Sequence, residues 1–272
     1  MKTKLMKLLT KDRQARIFVL DNTRLIHEML REQQLDPVSK EALSTAFTLS
    51  SLMVGLLKDD QRLSVRINMS ERSQYIHCDV DFTGNVRGYA SDALLAYTDQ
   101  VGGLAELIGP KGFIKITKDI GMGAMFTGFV DMPYQNIVHD FSHYFLQSEQ
   151  LETAFRYYYG DGPDTCYSRG ILVQPLPFAE AGLLGRWTDW FDRKGHSFRT
   201  EDLYPTADLV EEKAIHLYCG CSKAMFFGLL LSLGQEELER IIEQQQAVEV
   251  GCSVCGKKYR YDHLDISSLL TG

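Results

Sequence analysis

The sequence has no apolar run that approaches the roughly 20 residues of a membrane-spanning helix. Residues 1–20 carry lysines but neither an adequate apolar stretch nor a small-residue cleavage site, so we expect no secretory signal. Positive charge is also scarce, since 29 Lys and Arg stand against 36 Asp and Glu, for a formal net charge of −7. This balance argues against a nucleic-acid binder driven by phosphate contacts. We expect a cytoplasmic protein with no membrane or nucleic-acid partner.

Signatures of nucleotide use and of common catalytic sites are missing as well. The nearest glycine-rich stretch, residues 121–128, lacks the lysine-hydroxyl pair that ends a Walker motif. His139 and His143 are four residues apart in a predicted helix, but no third histidine or carboxylate pair is evident nearby. Solvated surface residues are therefore favoured over metal ligands at these two positions. We expect a protein that is not an enzyme and that does not require ATP.

Cysteine is sparse over most of the chain and concentrated near its C-terminal end. Four of the six cysteines form two close pairs, Cys219 with Cys221 and Cys252 with Cys255, separated by residues 222–251. Four soft thiolates in this arrangement suit one tetrahedral zinc ion. In an extended segment, residues i and i+2 point to the same side, so both members of the first pair can reach one metal. They are also close enough to oxidise to each other, so the same sulfurs could form a metal site or two disulfides.

The spacing alone leaves three interpretations of this motif open. In the cytosol, paired cysteines are more often metal-binding or redox-sensing than structural disulfides. The zinc site could switch, or it could be permanently closed, as in a structural zinc-ribbon interaction module. The segment Cys252-Ser-Val-Cys255 also has the spacing of a thiol-disulfide oxidoreductase, but it lacks the surrounding βαβ pattern of that class.

The two remaining cysteines stand alone. Cys78 lies in a segment of alternating polarity, which predicts a packed core residue on a strand. Cys166 follows Asp164 in a turn-rich segment and is expected at the surface. A role for Cys166 in a switch is a weaker alternative.

Residues 1–178 have the pattern of an α+β domain, a mixed core in which strands and helices alternate. The second predicted helix has almost no polar face and several small residues, which predicts a buried helix with close neighbours. A hairpin turn is predicted at Thr83-Gly84-Asn85. The predicted helices cover residues 22–34, 37–58 and 138–149, and the predicted strands cover 62–69, 75–82, 86–91, 112–118, 121–131, 154–159 and 169–175.

Composition then changes along the chain. Residues 179–213 hold both tryptophans amid many charges, and an apolar stripe recurs there at helical spacing. This segment is predicted to be a helical linker. It has too little apolar area to fold alone, so its apolar stripe is expected to pack against another surface. Residues 214–272 form a last module with a small core. A module of this size usually needs a crosslink, such as a bound zinc ion, to be stably folded. The linker stripe consists of Leu183, Trp187, Trp190 and Phe191.

The Cys-x-Cys and Cys-x-x-Cys pairs, about 30 residues apart, resemble the defining motif of the heat-shock protein 33 family. Several core segments are also similar to that family, and the resemblance covers nearly the whole chain. The connector at 179–213 looks shorter than is usual in the family, and residues 156–168 differ from its typical sequence. The similar segments are residues 41–68, 84–90, 116–128, 143–150 and 169–177.

The resemblance implies a redox-regulated holdase chaperone with a substrate-interacting core, a linker and a C-terminal zinc switch. It implies that Cys219, Cys221, Cys252 and Cys255 are both the zinc ligands and the redox-active thiols. The implied disulfides are Cys219–Cys221 and Cys252–Cys255. The expected partners are unfolded or oxidatively damaged client proteins, and a homodimer of the oxidised form is a further expectation.

The thiol chemistry suggests how such a switch would work. Zinc keeps the sulfurs deprotonated, and thiolate is the form that oxidants attack. An oxidised sulfur is captured by its neighbour as a disulfide, which binds zinc poorly. The small module then melts, and the linker stripe is expected to be exposed to clients.

Overall fold

The structure is a computed structural model, and its chain divides into two compact units, Met1–Tyr218 and Cys219–Gly272. We describe each unit by itself. No helix in the described part of the chain is both long and apolar enough to span a bilayer. The described residues are 2–31, 35–97, 101–121, 123–162, 165–252 and 257–271.

The first unit is a mixed α/β fold with two sheets. Its helices are α1 (Thr23–Leu30), α2 (Pro37–Met53), α3 (Asp92–Leu95), α4 (Leu104–Ile108), α5 (Ile137–Ser148) and α6 (Leu183–Lys194). Its strands are β1 (Lys4–Thr10), β2 (Ala15–Asp21), β3 (Arg62–Asn68), β4 (Tyr75–Asp81), β5 (Asn85–Ala90), β6 (Phe113–Asp119), β7 (Met125–Asp131), β8 (Ala154–Gly162), β9 (Thr165–Pro175), β10 (Ala207–Ala214) and β11 (His216–Leu217).

The six-stranded sheet has the order β11-β5-β4-β3-β6-β7. Each of its predicted strands is confirmed, and the predicted hairpin turn joins β4 to β5. Strands β3 to β7 pair antiparallel with their neighbours, whereas the short β11 pairs parallel with β5.

The five-stranded sheet has the order β10-β1-β2-β9-β8. No strand was predicted over β1, β2 or β10. Strands β1 and β2 pair with each other as a local hairpin that the sequence pattern did not indicate. Their other partners are far away in the chain, because β1 pairs with β10 and β2 pairs with β9. Strand β10 occupies the end of the segment predicted as a linker, so the C-terminal part of that segment is an edge strand of the first unit's sheet.

Helix α2 is buried between the sheets, as its apolar sequence predicts. Asp36 caps its first turn by accepting hydrogen bonds from the backbone N–H groups of Val38 and Ser39, at 2.9 and 3.1 Å. Close packing is possible because both sheets present glycine to it. A Cβ at Gly88 would lie 2.7 Å from the Phe47 ring, and one at Gly170 would lie 2.8 Å from Thr48. Any larger residue there would push the helix away.

The second unit is much smaller. Its elements are α7 (Lys223–Leu230), α8 (Gln235–Glu243), β12 (Val248–Gly251), β13 (Lys258–Tyr261) and α9 (His263–Thr271). The sequence predicts helices over 223–233 and 235–244 and strands over 247–251 and 257–262, and these elements are confirmed, whereas α9 was not predicted. Strands β12 and β13 form an antiparallel hairpin.

Candidate metal centre and docked helix

Three cysteine sulfurs of the second unit, drawn from both cysteine pairs, lie together. The ligand atoms of Cys219, Cys221 and Cys252 are all within 4.8 Å of one another, and the sulfurs of Cys219 and Cys252 are 3.5 Å apart. Cys255, the fourth residue of the predicted site, lies outside the described residues. Among the described residues, the cluster contains no histidine, so His216 and His263 are not part of it.

Local structure explains why the sulfurs meet. Ser222 accepts a hydrogen bond from the backbone N–H of Met225 at 3.1 Å and starts α7, so the first cysteine pair lies directly before a helix. The backbone N–H of Cys252 donates to the carbonyl of Lys257 at 2.9 Å, which closes the connection between β12 and β13. The helix start and the hairpin end therefore present their sulfurs to one another.

The donor set fits a zinc ion. Four thiolates at about 2.3 Å from a tetrahedral zinc ion would lie roughly 3.8 Å from each other. The sulfurs of Cys219 and Cys252 are 3.5 Å apart, and all three described sulfurs lie within 4.8 Å of one another. Cys252 is 5% exposed, whereas Cys219 and Cys221 are half-buried. The first pair is therefore the more exposed of the two described parts of the cluster.

Sequence reasoning missed one residue next to this cluster. The hydroxyl of Tyr259 lies 3.2 Å from the sulfur of Cys221 and donates to the carbonyl of Cys221 at 3.0 Å. The sequence shows only a tyrosine in a short alternating strand, four residues after Cys255. Nothing in that pattern places its hydroxyl on the other cysteine pair.

The predicted linker stripe lies on α6, in the first unit. Leu183 and Phe191 are buried, and Trp187 and Trp190 are half-buried against the same cluster. This cluster includes residues of the five-stranded sheet, namely Leu8, Ala15, Ile17, Val19, Ile171 and Val173. The stripe therefore packs on an apolar face of this sheet.

Aromatic packing and polar contacts hold α6 in place. The rings of Trp190 and Phe191 have centroids 5.0 Å apart, in an edge-to-face arrangement. Arg156 on β8 forms a two-pronged ion pair with Asp192, with N–O distances of 2.6 and 2.9 Å. The Tyr158 hydroxyl donates to the carbonyl of Phe191 at 2.7 Å, and burial raises the pKa of Tyr158 to about 12, so the hydroxyl remains a donor at neutral pH.

The two single cysteines belong to the first unit. Cys78 is 1% exposed in the core, as predicted, and burial raises the pKa of its thiol to about 12. Cys166 is half-buried rather than exposed, in a cleft of about 650 Å³ beside α1. Its sulfur lies 2.5 Å from Nε2 of His27, and burial raises the pKa of the Cys166 thiol. A raised pKa favours the less reactive protonated thiol.

His139 and His143 of α5 are not part of any cluster of potential metal ligands among the described residues. Both rings pack edge-on against Tyr134 instead. Between them, Asp140 is buried and accepts hydrogen bonds from the backbone N–H groups of Tyr134 and Asn136, at 3.1 and 2.8 Å. This aspartate stabilises the turn before α5.

Comparison with known proteins decides the family. A family model described as "Hsp33 protein" matches residues 3–262. The chain belongs to the Hsp33 family. Its curated relatives include a 33 kDa chaperonin of Syntrophotalea carbinolica, which is 28% identical over 288 residues, with 99% of this chain and 100% of that protein covered. A 33 kDa chaperonin of Oceanobacillus iheyensis is 27% identical, with 99% of each chain covered.

A solved structure supports the same fold. The crystal structure of the Hsp33 homologue from Thermotoga maritima superposes with a TM-score of 0.81 at 20% sequence identity. The match covers 100% of this chain and 98% of that chain. The mixed α/β fold predicted from the sequence is therefore the Hsp33 fold.

Proposed function

We propose that this protein is an ATP-independent holdase chaperone that is regulated by cysteine oxidation. Membership of the Hsp33 family, whose relatives are named 33 kDa chaperonins, supports a chaperone function, and we propose that the protein is not an enzyme. The observation that carries the redox part is the convergence of three sulfurs from two sequence pairs in a unit with a small core. We place the active protein in the cytoplasm, with unfolded or oxidatively damaged proteins as its clients.

The reduced form would hold one zinc ion through Cys219, Cys221, Cys252 and Cys255. When bound, zinc would keep these sulfurs as thiolates and would crosslink the start of α7 to the β12–β13 hairpin. Around this site, the described buried apolar cluster consists of only Leu230, Leu238, Ile241, Tyr259, Tyr261 and Ile266. The folded state of the unit should therefore depend on the metal.

Oxidation would proceed on the protein's own sulfurs. A thiolate attacks one oxygen of a peroxide, which breaks the O–O bond and gives a sulfenic acid and hydroxide. A second thiolate attacks the sulfenic sulfur and forms a disulfide, and a second hydroxide leaves. Family resemblance favours the pairs Cys219–Cys221 and Cys252–Cys255. The 3.5 Å between the sulfurs of Cys219 and Cys252 makes a disulfide between the pairs the competing product.

Loss of the metal would then unfold the second unit. Zinc binding in such modules is worth roughly 10–16 kcal/mol, most of it as folding free energy, and disulfides that close loops of a few residues replace little of it. The chain runs from α6 through β10 and β11 directly to Cys219. We propose that α6 undocks and that its stripe of Leu183, Trp187, Trp190 and Phe191, with the sheet surface beneath it, binds clients.

One experiment separates this function from its two alternatives. The reduced, zinc-loaded protein is treated with peroxide at mild heat, and zinc release and the aggregation of a model client are followed together. Zinc release with new suppression of aggregation supports the holdase. Retained zinc with no effect on aggregation would favour a structural zinc-ribbon module, and turnover of a model disulfide would favour a thiol-disulfide oxidoreductase. Sedimentation of the oxidised sample tests the proposed homodimer.

A further inference from the structure

Tyr259 contacts the cysteine site without belonging to the cysteine motif. Its hydroxyl donates to the carbonyl of Cys221 at 3.0 Å and lies 3.2 Å from the sulfur of the same residue. The side chain is 9% exposed, so water competes little for this hydroxyl. A single phenol group therefore contacts both the backbone and the sulfur of one predicted zinc ligand.

Packing holds the Tyr259 ring in position from several sides. Strand pairing places Tyr259 opposite Val250 on β12, which leads into Cys252. The ring of Phe226 on α7 lies against it, with centroids 5.4 Å apart, and Nζ of Lys257 lies 5.2 Å from the ring centroid. The hydroxyl thus connects the segment that carries the first cysteine pair to the hairpin that carries the second.

We infer that Tyr259 is a positioning residue that sets how readily the cysteine site is oxidised. This inference rests on the proposed function. With its one proton donated to the Cys221 carbonyl, the hydroxyl oxygen lies 3.2 Å from the Cys221 sulfur and covers one approach of peroxide to that sulfur. The bond to the Cys221 carbonyl keeps that cysteine beside the hairpin, which favours metal binding. Both effects protect the reduced state.

Tyr261 provides a matched control on the same strand. It is two residues further along β13, so its side chain leaves the strand on the same side. Its hydroxyl donates to the carbonyl of Lys223 at 2.6 Å, its side chain is 0% exposed, and its ring packs on Phe227. Tyr261 therefore shares the burial, the backbone acceptor and the aromatic neighbour, but its hydroxyl bonds to a lysine carbonyl and contacts no cysteine sulfur among the described residues.

The test compares Tyr259→Phe with Tyr261→Phe in the full-length reduced protein. Zinc content is measured after purification, zinc affinity by competition with a chelator, and zinc release under peroxide with a chromogenic chelator. Outer-shell partners of metal ligands typically change affinity by about 10–100-fold. We expect Tyr259→Phe to lose about 10-fold in zinc affinity and to release zinc several-fold faster, whereas Tyr261→Phe stays within about 2-fold of the unmodified protein in both.

Every outcome bears on the inference. If Tyr259→Phe purifies without zinc while Tyr261→Phe retains it, the positioning role is supported in its strongest form. If the two variants release zinc at equal rates, or lose it equally on purification, the hydroxyl of Tyr259 has only a structural role and the inference is wrong. The chaperone proposal is tested separately, because it fails only if the oxidised unmodified protein does not suppress aggregation.

Discussion

The first unit encloses α2 between two sheets, whereas the second unit arranges a few short elements around a small apolar cluster. The large cluster of the first unit draws on both sheets and on helices α1, α2, α4 and α5. In the second unit, apolar side chains on α7 and the turn after it stay about half-exposed, including Met225, Leu229 and Leu231. One unit has enough buried apolar surface to fold by itself, and the other is expected to need its metal.

This difference explains how one chain could sense oxidants without losing its fold. The sulfurs that react lie in the unit with the smaller core, and the candidate client surface lies under α6 in the unit with the larger core. Oxidation of the sulfurs in the second unit would then expose the client surface in the first unit.

Removing one zinc ligand should unfold the second unit while the core of the first unit around α2 stays folded. Cys252→Ser is expected to abolish zinc binding and to cost the second unit most of the roughly 10 kcal/mol that metal binding supplies. Zinc content and hydrogen exchange mapped along the chain measure this. Cys166→Ser, which changes a cysteine of the first unit, is the control and should keep its zinc. Retained zinc in Cys252→Ser would show that the ligand assignment is wrong.

Weakening the docking of α6 should activate the protein without oxidation. Phe191 is 0% exposed, so Phe191→Ala is expected to cost about 3–5 kcal/mol of docking and packing free energy. Suppression of client aggregation by the reduced, zinc-loaded variant measures the effect, and protease cleavage within residues 179–206 reports the undocking. Asp189→Ala, at an exposed position of the same helix, is the control. An undocked helix with no gain in suppression would mean that clients bind elsewhere.

Acid should unfold the second unit at a higher pH than the first unit. Zinc binding needs deprotonated cysteines, so acidification releases the metal and unfolds the second unit first. In the first unit, burial raises the pKa of Asp79, but hydrogen bonds from His77, Arg87 and Ser64 outweigh burial and lower that pKa to about 2. Since this is below the unfolded value of about 3.9, the stabilisation is present above that value and is lost as the pH falls toward 2.

Asp79→Asn tests this contribution directly. We expect the variant to lose up to about 2 kcal/mol of first-unit stability at pH 7, and to differ less and less from the unmodified protein as the pH falls through the range of 4 to 2. Denaturant unfolding of the first unit, measured at several pH values, gives the comparison. A stability difference that does not change with pH would show that the charge of Asp79 contributes nothing.

The smallest effect concerns the ion pair that holds α6. Asp192→Asn removes the charge that Arg156 pairs with, and the carboxylate is largely exposed, so we expect a loss of only about 0.5 kcal/mol. The oxidised variant should undock α6 at a slightly lower temperature. Glu180→Gln removes an even more exposed ion pair, with Arg186, and serves as the control. If the two changes lowered the undocking temperature equally, the ion pair of Arg156 with Asp192 would have no specific role in holding α6.

Local patterns predicted much of this molecule, and two of the features that were missed depend on contacts between distant segments. The cysteine pairs, the α6 stripe and the β4–β5 hairpin are each encoded within a few residues, so spacing alone indicated them. Strand β10 was missed because its outer residues are exposed and charged, and its identity depends on pairing with β1, about 200 residues earlier. The contact of Tyr259 with Cys221 was missed for the same reason, since it joins residues 38 positions apart.

The central claim is that loss of the metal in the second unit releases α6 in the first. Hydrogen exchange over residues 183–194, followed during peroxide treatment together with zinc release and client aggregation, tests it most directly. We predict that exchange in α6 rises after zinc leaves and in step with the suppression of aggregation, while α2 stays protected. If aggregation is suppressed while α6 remains as protected as in the reduced protein, the account is contradicted.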